Sequence, residues 1–337
     1  MADRKLIRLL PPLLFAVALA LLPVLAEAAG RGYLIGVSTN VLIFAIAASS
    51  LNLILGYGGM VSLGHAAFFG SGAYVVGILA HHAMWGAPLM VWPFHIGGTE
   101  SAFIAWPLAI LVSALLALVI GAISLRTSGL YFIMITLAFA QMLFFFFIAL
   151  NEYGGEDGMS LWNRSHAGPL DLNDNTQFFY LVLAFTLALL FLKHRLVNSR
   201  FGVVLTGIRD NPRRMRALGY PVRRYQLAAF TLAGAVAGLA GALIANQTEF
   251  VSPTFLHWTR SGEILIMVVL GGMGTLFGPL LGAAAFLLLE ETLADLTEHW
   301  MIIFGPLLLL VVLFARGGLW SLVERLRAAL GGGGERR

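Results

Sequence analysis

The chain has 337 residues, 59% of them hydrophobic and only 11% charged, with a net charge of +4 and no cysteine. Soluble domains carry about 25% charged residues, so this composition belongs to an integral membrane protein. It excludes disulfides, zinc–thiolate sites, iron–sulfur clusters and thiol nucleophiles. The cations are gathered in a few loops, which speaks against a nucleic-acid partner.

Residues 1–30 open with MADRKLIR, followed by an apolar run and Ala26-Glu27-Ala28, a pattern shared with signal peptides. The run from Leu6 to Ala26 is long enough to cross, so an uncleaved first span is expected. Further apolar runs lie at 33–55, 61–80, 102–124, 129–150, 177–192, 226–247, 262–273, 276–293 and 300–315. At about 20 residues per crossing they predict an all-α polytopic membrane protein of about ten (roughly 8–10) transmembrane helices. One membrane domain covers 31–317, and 318–337 form a tail. The run 262–273 is too short to cross alone at about 1.5 Å per residue. Threading the spans alternately from a cytoplasmic N-terminus puts 18 of the 21 Lys and Arg residues inside, leaving Arg31, Arg164 and Arg260 outside. That split obeys the positive-inside rule and places both termini in the cytoplasm.

The largest outer loop, 151–176, holds Glu152, Glu156, Asp157, Asp171 and Asp174 against Arg164. Its GGEDG segment (Gly154 to Gly158) reads as a turn. No spacing there matches a calcium loop, so the loop is expected to dock an external partner. The inner stretch 193–224 carries nine cations (Lys193, Arg195, Arg200, Arg209, Arg213, Arg214, Arg216, Arg223, Arg224) against Asp210. Within it Asn211 can cap a short helix, Pro212 fits its first turn, and Gly219 can end it. Met215 and Leu218, three apart, would form one apolar face among the arginines. Setting orientation and gripping anionic lipid are the plainer readings of such a loop. Neither needs a helix capped at both ends, which points to docking on another protein.

Two glycine-broken stretches are alike: Gly58-Gly59-Met60-Val61-Ser62-Leu63-Gly64, and Gly271-Gly272-Met273-Gly274-Thr275-Leu276. Paired interruptions of this kind point to a substrate pathway in transporters; close packing through small residues is the alternative. Gly234, Gly238 and Gly241 read as packing only. The polar residues deep in the spans are Asn52, Ser62, His65, Thr136, Gln141 and Asn246, with no acid, Lys or Arg among them. Asn52, Gly58, Gly59, Ser62, His65, Gln141, Gly271 and Gly272 are therefore the pathway candidates. Glu249, Glu263, Glu290 and Glu291 are expected near the outer ends. Proton coupling needs a titratable group in the membrane, and only His65 is available. There is no GxxxxGK[ST] phosphate loop and no catalytic cluster, so no ATP use, no enzyme activity and no cofactor are expected of this chain.

Leu51 to Tyr74 (LNLILGYGGMVSLGHAAFFGSGAY) resembles the first motif of the Liv-type permeases, subunits of ATP-binding-cassette importers for branched-chain amino acids. Ser199 to Leu243 resembles their cytoplasmic coupling loop and following span, Leu270 to Ala283 their late glycine motif, and GGEDG their outer loop. The likeness covers most of 33–315 and is nearer the LivM than the LivH branch. It implies a bacterial inner-membrane protein working with a LivH-like second permease, two ATP-binding subunits and a periplasmic binding protein. It also implies an ATPase-coupling segment at Asn211, Pro212, Arg213, Met215, Ala217, Leu218 and Gly219. Pro212, Arg213 and Arg214 depart from the family pattern, where an acid usually follows Asp-Asn. The substrate class comes from the resemblance alone, and related permeases move urea, short amides or aromatic acids. The rival readings are a stand-alone secondary carrier and a scaffold that recruits a cytosolic protein.

Overall fold

A backbone in hydrocarbon has no water to bond, so apolar runs of this length close their hydrogen bonds internally as helices. The computed structural model describes residues 19–28, 30–86, 88, 97–296, 299, 302–306 and 317–321. A short helix α1 (Leu19–Ala28) is followed by α2 (Tyr33–Asn52), which continues as a π turn over Leu53–Tyr57. Then come α3 (His65–Trp85), α4 (Ala102–Ser124), α5 (Leu130–Ala149), α6 (Asn175–Val197), α7 (Arg200–Asp210), α8 (Pro212–Ala217), α9 (Val222–Thr248), α10 (Trp258–Gly271) and α11 (Gly278–Leu296). Strands β1 (Met159–Ser160) and β2 (Phe250–Val251) pair antiparallel between α5 and α6 and after α9. Six of the described helices, counting α2 with its π turn, are long and apolar enough to cross a membrane. At 14 residues α10 is short, as expected. The expected spans at 6–26 and 300–315 lie mostly outside the described residues.

Helices α2, α3 and α9 form the centre. Phe44 stacks on Phe69 at 5.8 Å, and Phe68 meets Phe230 edge-on at 5.4 Å. On α9, a Cβ at Gly238 would strike Ser113 of α4 and one at Gly241 the Phe69 carbonyl of α3. These glycines serve packing, as the sequence suggests. By contrast α4 and α5 turn Leu111, Leu115, Val119, Tyr131, Met134 and Phe145 outward.

Helix α3 starts beside the last turns of α2 and not level with its end. His65, its first residue, bonds Ser50 Oγ through Nε2 (2.6 Å). Ser50 lies seven residues before Tyr57, about 10 Å along the axis; residues 58–64 cover that distance without helix. Helix α10 is the complement. Residues 252–257 run back beside α3, with Phe255 edge-on to Phe69 (6.0 Å) and Leu256 against Gly70. Only then does α10 begin, and Ser261 Oγ accepts the Ala66 N–H (2.7 Å).

This depth corrects the expectation for Arg260 and Glu263. The Arg260 guanidinium sits 5.5 Å from the Phe44 ring and 5.9 Å from Phe255, and its Nη1 is 2.6 Å from Glu263. Phe44 stands near the middle of the 25-residue span Tyr33–Tyr57. The pair therefore lies deep in the bundle and not at an outer rim, and the spans are not free of fixed charge. Charges at that depth are costly unless paired and covered; the ion pair and the two rings do both. Run length alone could not reveal it, because the chain folds back inward before the helix starts.

At the far end from α7 and α8, GGEDG forms the expected turn, with Gly154, Gly155 and Gly158 at positive φ. The buried Arg164 fastens this loop. It pairs with Glu249 (3.2 Å), donates to the Leu172 carbonyl (2.9 Å) and Asn175 Oδ1 (2.8 Å), and lies 4.9 Å over the Phe178 ring. Asn246, an expected deep polar residue, accepts the Ser165 N–H (2.7 Å) from the same loop.

Candidate functional site

The basic stretch folds as more than one helix. Lys193 belongs to α6, buried with its Nζ 5.8 Å from the Tyr57 ring, so it is not part of the exposed island. Helix α7 precedes the expected short helix. Its Val204 and Ile208 form a small core with Val222, closed by Met215 and Tyr225. Helix α8 has the predicted ends. Asn211 Oδ1 accepts the Arg214 N–H (3.0 Å) and Pro212 opens the first turn. At the other end Gly219 takes φ +84°, its N–H bonds Arg216 O (2.9 Å), and the Tyr220 N–H bonds Met215 O (3.1 Å). These two bonds make a Schellman stop, which needs the left-handed residue that glycine supplies.

The expected Met215–Leu218 ridge is divided. Met215 packs inward on α7, while Leu218 falls on the cap position beyond Ala217 and is 63% exposed. Around Leu218 stand the exposed Arg213, Arg214, Arg216, Ala217 and Tyr220. This face is cationic with one apolar tip.

The turn that leads into the first glycine-broken element meets the second element. Asn52, fully buried, donates from Nδ2 to the Thr275 carbonyl (2.7 Å) and accepts the Gly274 N–H at Oδ1 (2.8 Å). Gly56 lies directly on Gly274; a Cβ there would overlap Asn52 Oδ1 and the Gly274 nitrogen. Helix α7 reaches this junction through Arg209. Its Nη1 donates to the Gly56 carbonyl (2.8 Å), one of the last-turn carbonyls that lack an intrahelical partner. Its stem lies on Gly59, and Asp210 holds the other edge of the guanidinium (Nη2 to Oδ1, 3.0 Å). Residues 317–321 cover the second element, with Gly318 against Gly272 and Trp320 stacked on Phe277 at 5.6 Å.

The other pathway candidates are placed as follows. Gly58 ends the π turn, and Gly271 packs on Gly278. Gly272 takes φ +118°. Ser62 is buried and accepts the Gly64 N–H (3.2 Å). His65 is buried too. Its Nε2 lies 2.6 Å from Ser50 Oγ, which is also 2.6 Å from Ala47 O, and its Nδ1 has no hydrogen-bond partner. Gln141 is half-buried on α5 and takes no part in the Asn52 bonds. Thr136 bonds its own helix at Ile133 O (2.9 Å) and backs Gly64. Sequence reasoning missed Arg209, Gly274 and Thr275 as contributors. The signal for α7 was present: Val204, Leu205 and Ile208 recur at helical spacing before the Asn211 cap.

Residues 33–312 match the family described as branched-chain amino acid transport system / permease component. The chain belongs to that family. This permease is 29% identical to the high-affinity branched-chain amino acid transport system permease protein LivM of Salmonella typhimurium, across 85% of this chain and 69% of the relative. It is 28% identical to the protein of the same name from Escherichia coli, across 91% and 74%. A probable branched-chain amino acid transport permease protein LivM of Methanocaldococcus jannaschii is 24% identical across 82% and 90%. No solved structure matches the permease. Family and helices together make it a multi-pass membrane transport subunit.

Proposed function

We propose that this permease is the inner-membrane subunit of an ATP-binding-cassette importer that passes branched-chain amino acids into the cytoplasm. The observation that carries the reading is the family match over 33–312, joined by relatives whose names give that activity. ATP is hydrolysed on two partner subunits; a LivH-like second permease and a periplasmic binding protein complete the machine. The basic end faces the cytoplasm, where Lys and Arg are retained. Helix α8 docks an ATP-binding subunit through Arg213, Arg214, Arg216, Leu218 and Tyr220. The acidic loop fastened by Arg164 receives the binding protein on the opposite face.

The substrate path runs where α3 and α10 begin. Helix N-termini carry partial positive charge, and broken helices in transporters direct theirs at a substrate carboxylate. Asn52 and Ser62 hold backbone in the state described. They line the path only when the glycine elements part, which is the motion that opens it.

The test is reconstitution with the two ATP-binding subunits, the second permease and the binding protein. Labelled leucine, isoleucine and valine should accumulate only with ATP and all partners present, and the permease alone should be inert. Uphill uptake by the permease alone, without nucleotide, would overturn the reading. Competition by urea, short amides or aromatic acids, with none by leucine, would keep the importer and replace its substrate.

A further inference from the structure

We infer that Arg209 is the positioning residue that makes the two glycine-broken elements answer to the cytoplasmic helix pair α7–α8. This rests on the importer reading and adds to it the part that transmits the motion. Three observations converge on that side chain. Its Nη1 donates to Gly56 O (2.8 Å) in the π turn before the first element. Its stem covers Gly59 within that element, where a Cβ would stand 2.8 Å from Arg209 Cγ. The same Nη1 would be 3.7 Å from a Cβ on Gly274, in the second element.

Arg209 supplies the side-chain hydrogen bond from α7 to the π turn, while the fully buried Leu205 of the same helix belongs to the main apolar core together with Leu53 and Ile54. The small core of α7 and α8, Val204, Ile208 and Met215 with Val222 and Tyr225, ties them to each other and to α9. That core makes the pair move as one body. Arg209 stands at its last turn, one residue from Asp210 and two from the cap of α8. A displacement of α8 therefore acts on the Gly56 carbonyl with no flexible segment between them. π turns recur at functional sites. Asn52, which joins Gly274 and Thr275 to the start of that turn, passes the displacement to the second element. The guanidinium suits the role, since it bonds a carbonyl on one edge and a carboxylate on the other.

The experiment compares Arg209→Gln and Arg209→Lys with the parent in two measurements. In the purified permease, hydrogen–deuterium exchange is followed at residues 58–62 and 273–276. Arg209→Gln should speed exchange in both segments together, at least fivefold, and leave α9 unchanged. In the complete importer it should keep ATP hydrolysis within twofold of the parent while leucine uptake falls at least tenfold. Arg209→Lys, which keeps one donor, should recover part of the uptake. Unchanged exchange, a change confined to 58–62, or hydrolysis and uptake falling in parallel would each overturn the inference. A parent complex that never shows ATP-dependent uptake sinks the importer reading instead, while the exchange result still decides whether Arg209 joins the two segments.

Discussion

Met215 and Leu218 are separated by one turn of α8 yet have different surroundings. Met215 lies in the small core with Val204 and Ile208, and Leu218 is open to solvent. A carboxylate at the partly buried Met215 would replace its apolar packing on α7 with a group that seeks water, which costs about 1–3 kcal/mol. Met215→Glu should therefore loosen α7 and α8, read as faster proteolysis between residues 198 and 222 in the purified protein. Leu218→Glu should leave that rate at the parent value and lower ATP-driven uptake at least tenfold in the full importer. Equal proteolysis of both variants would refute the division of the ridge. The caps of α8 were legible because they are local: Asn211, Pro212 and Gly219 each act on neighbours within three or four residues. The sides of Met215 and Leu218 were not, because α7 supplies the surface that claims Met215.

Between elements, the joint at Asn52 is the most exposed to substitution. Its amide serves two backbone groups 222 and 223 residues further along the chain. Asn52→Ala removes the side-chain partner of the part-buried Gly274 N–H and Thr275 carbonyl, at up to about 1–3 kcal/mol each. Its thermal midpoint in detergent should fall by several degrees. Asn52→Asp puts a carboxylate oxygen against the Thr275 carbonyl in a fully buried site, so its fall should be at least as large as that of the alanine variant. An unchanged midpoint for the alanine variant would mean the two elements are not fastened this way. The sequence marks both glycine elements and singles out Asn52 as polar within a span, but pairing across that separation leaves no trace in one sequence. The depth of α10 was hidden for a related reason. Residues 249–257 have the composition of a surface loop, and only their contact with Phe69 and Gly70 shows that they run inward.

For the whole molecule, composition and cation placement were the strongest signals, since lipid imposes helices and charge sets their direction. Orientation is open to a direct test because the chain has no cysteine. Trp162 on the acidic loop is 77% exposed and Leu218 on α8 is 63% exposed. In intact cells made permeable only at the outer membrane, a membrane-impermeant maleimide should label a Trp162→Cys variant. It should reach a Leu218→Cys variant only after the inner membrane is broken. The reverse pattern would invert the topology and remove α8 from contact with ATP-binding subunits.

The inward-running segment before α10 has a bearing on how such a protein could be recombined with a relative. The chain around the glycine-broken stretches is held by residues distant in sequence: His65 leans on Ser50, Ala66 on Ser261, and Gly274 on Asn52. A hybrid cut between residues 75 and 250 would graft one half onto a foreign counterpart and leave its buried amides mismatched. Cuts that carry 44–72 and 252–278 together from the same parent keep those partners, and are the ones from which a working hybrid is to be sought.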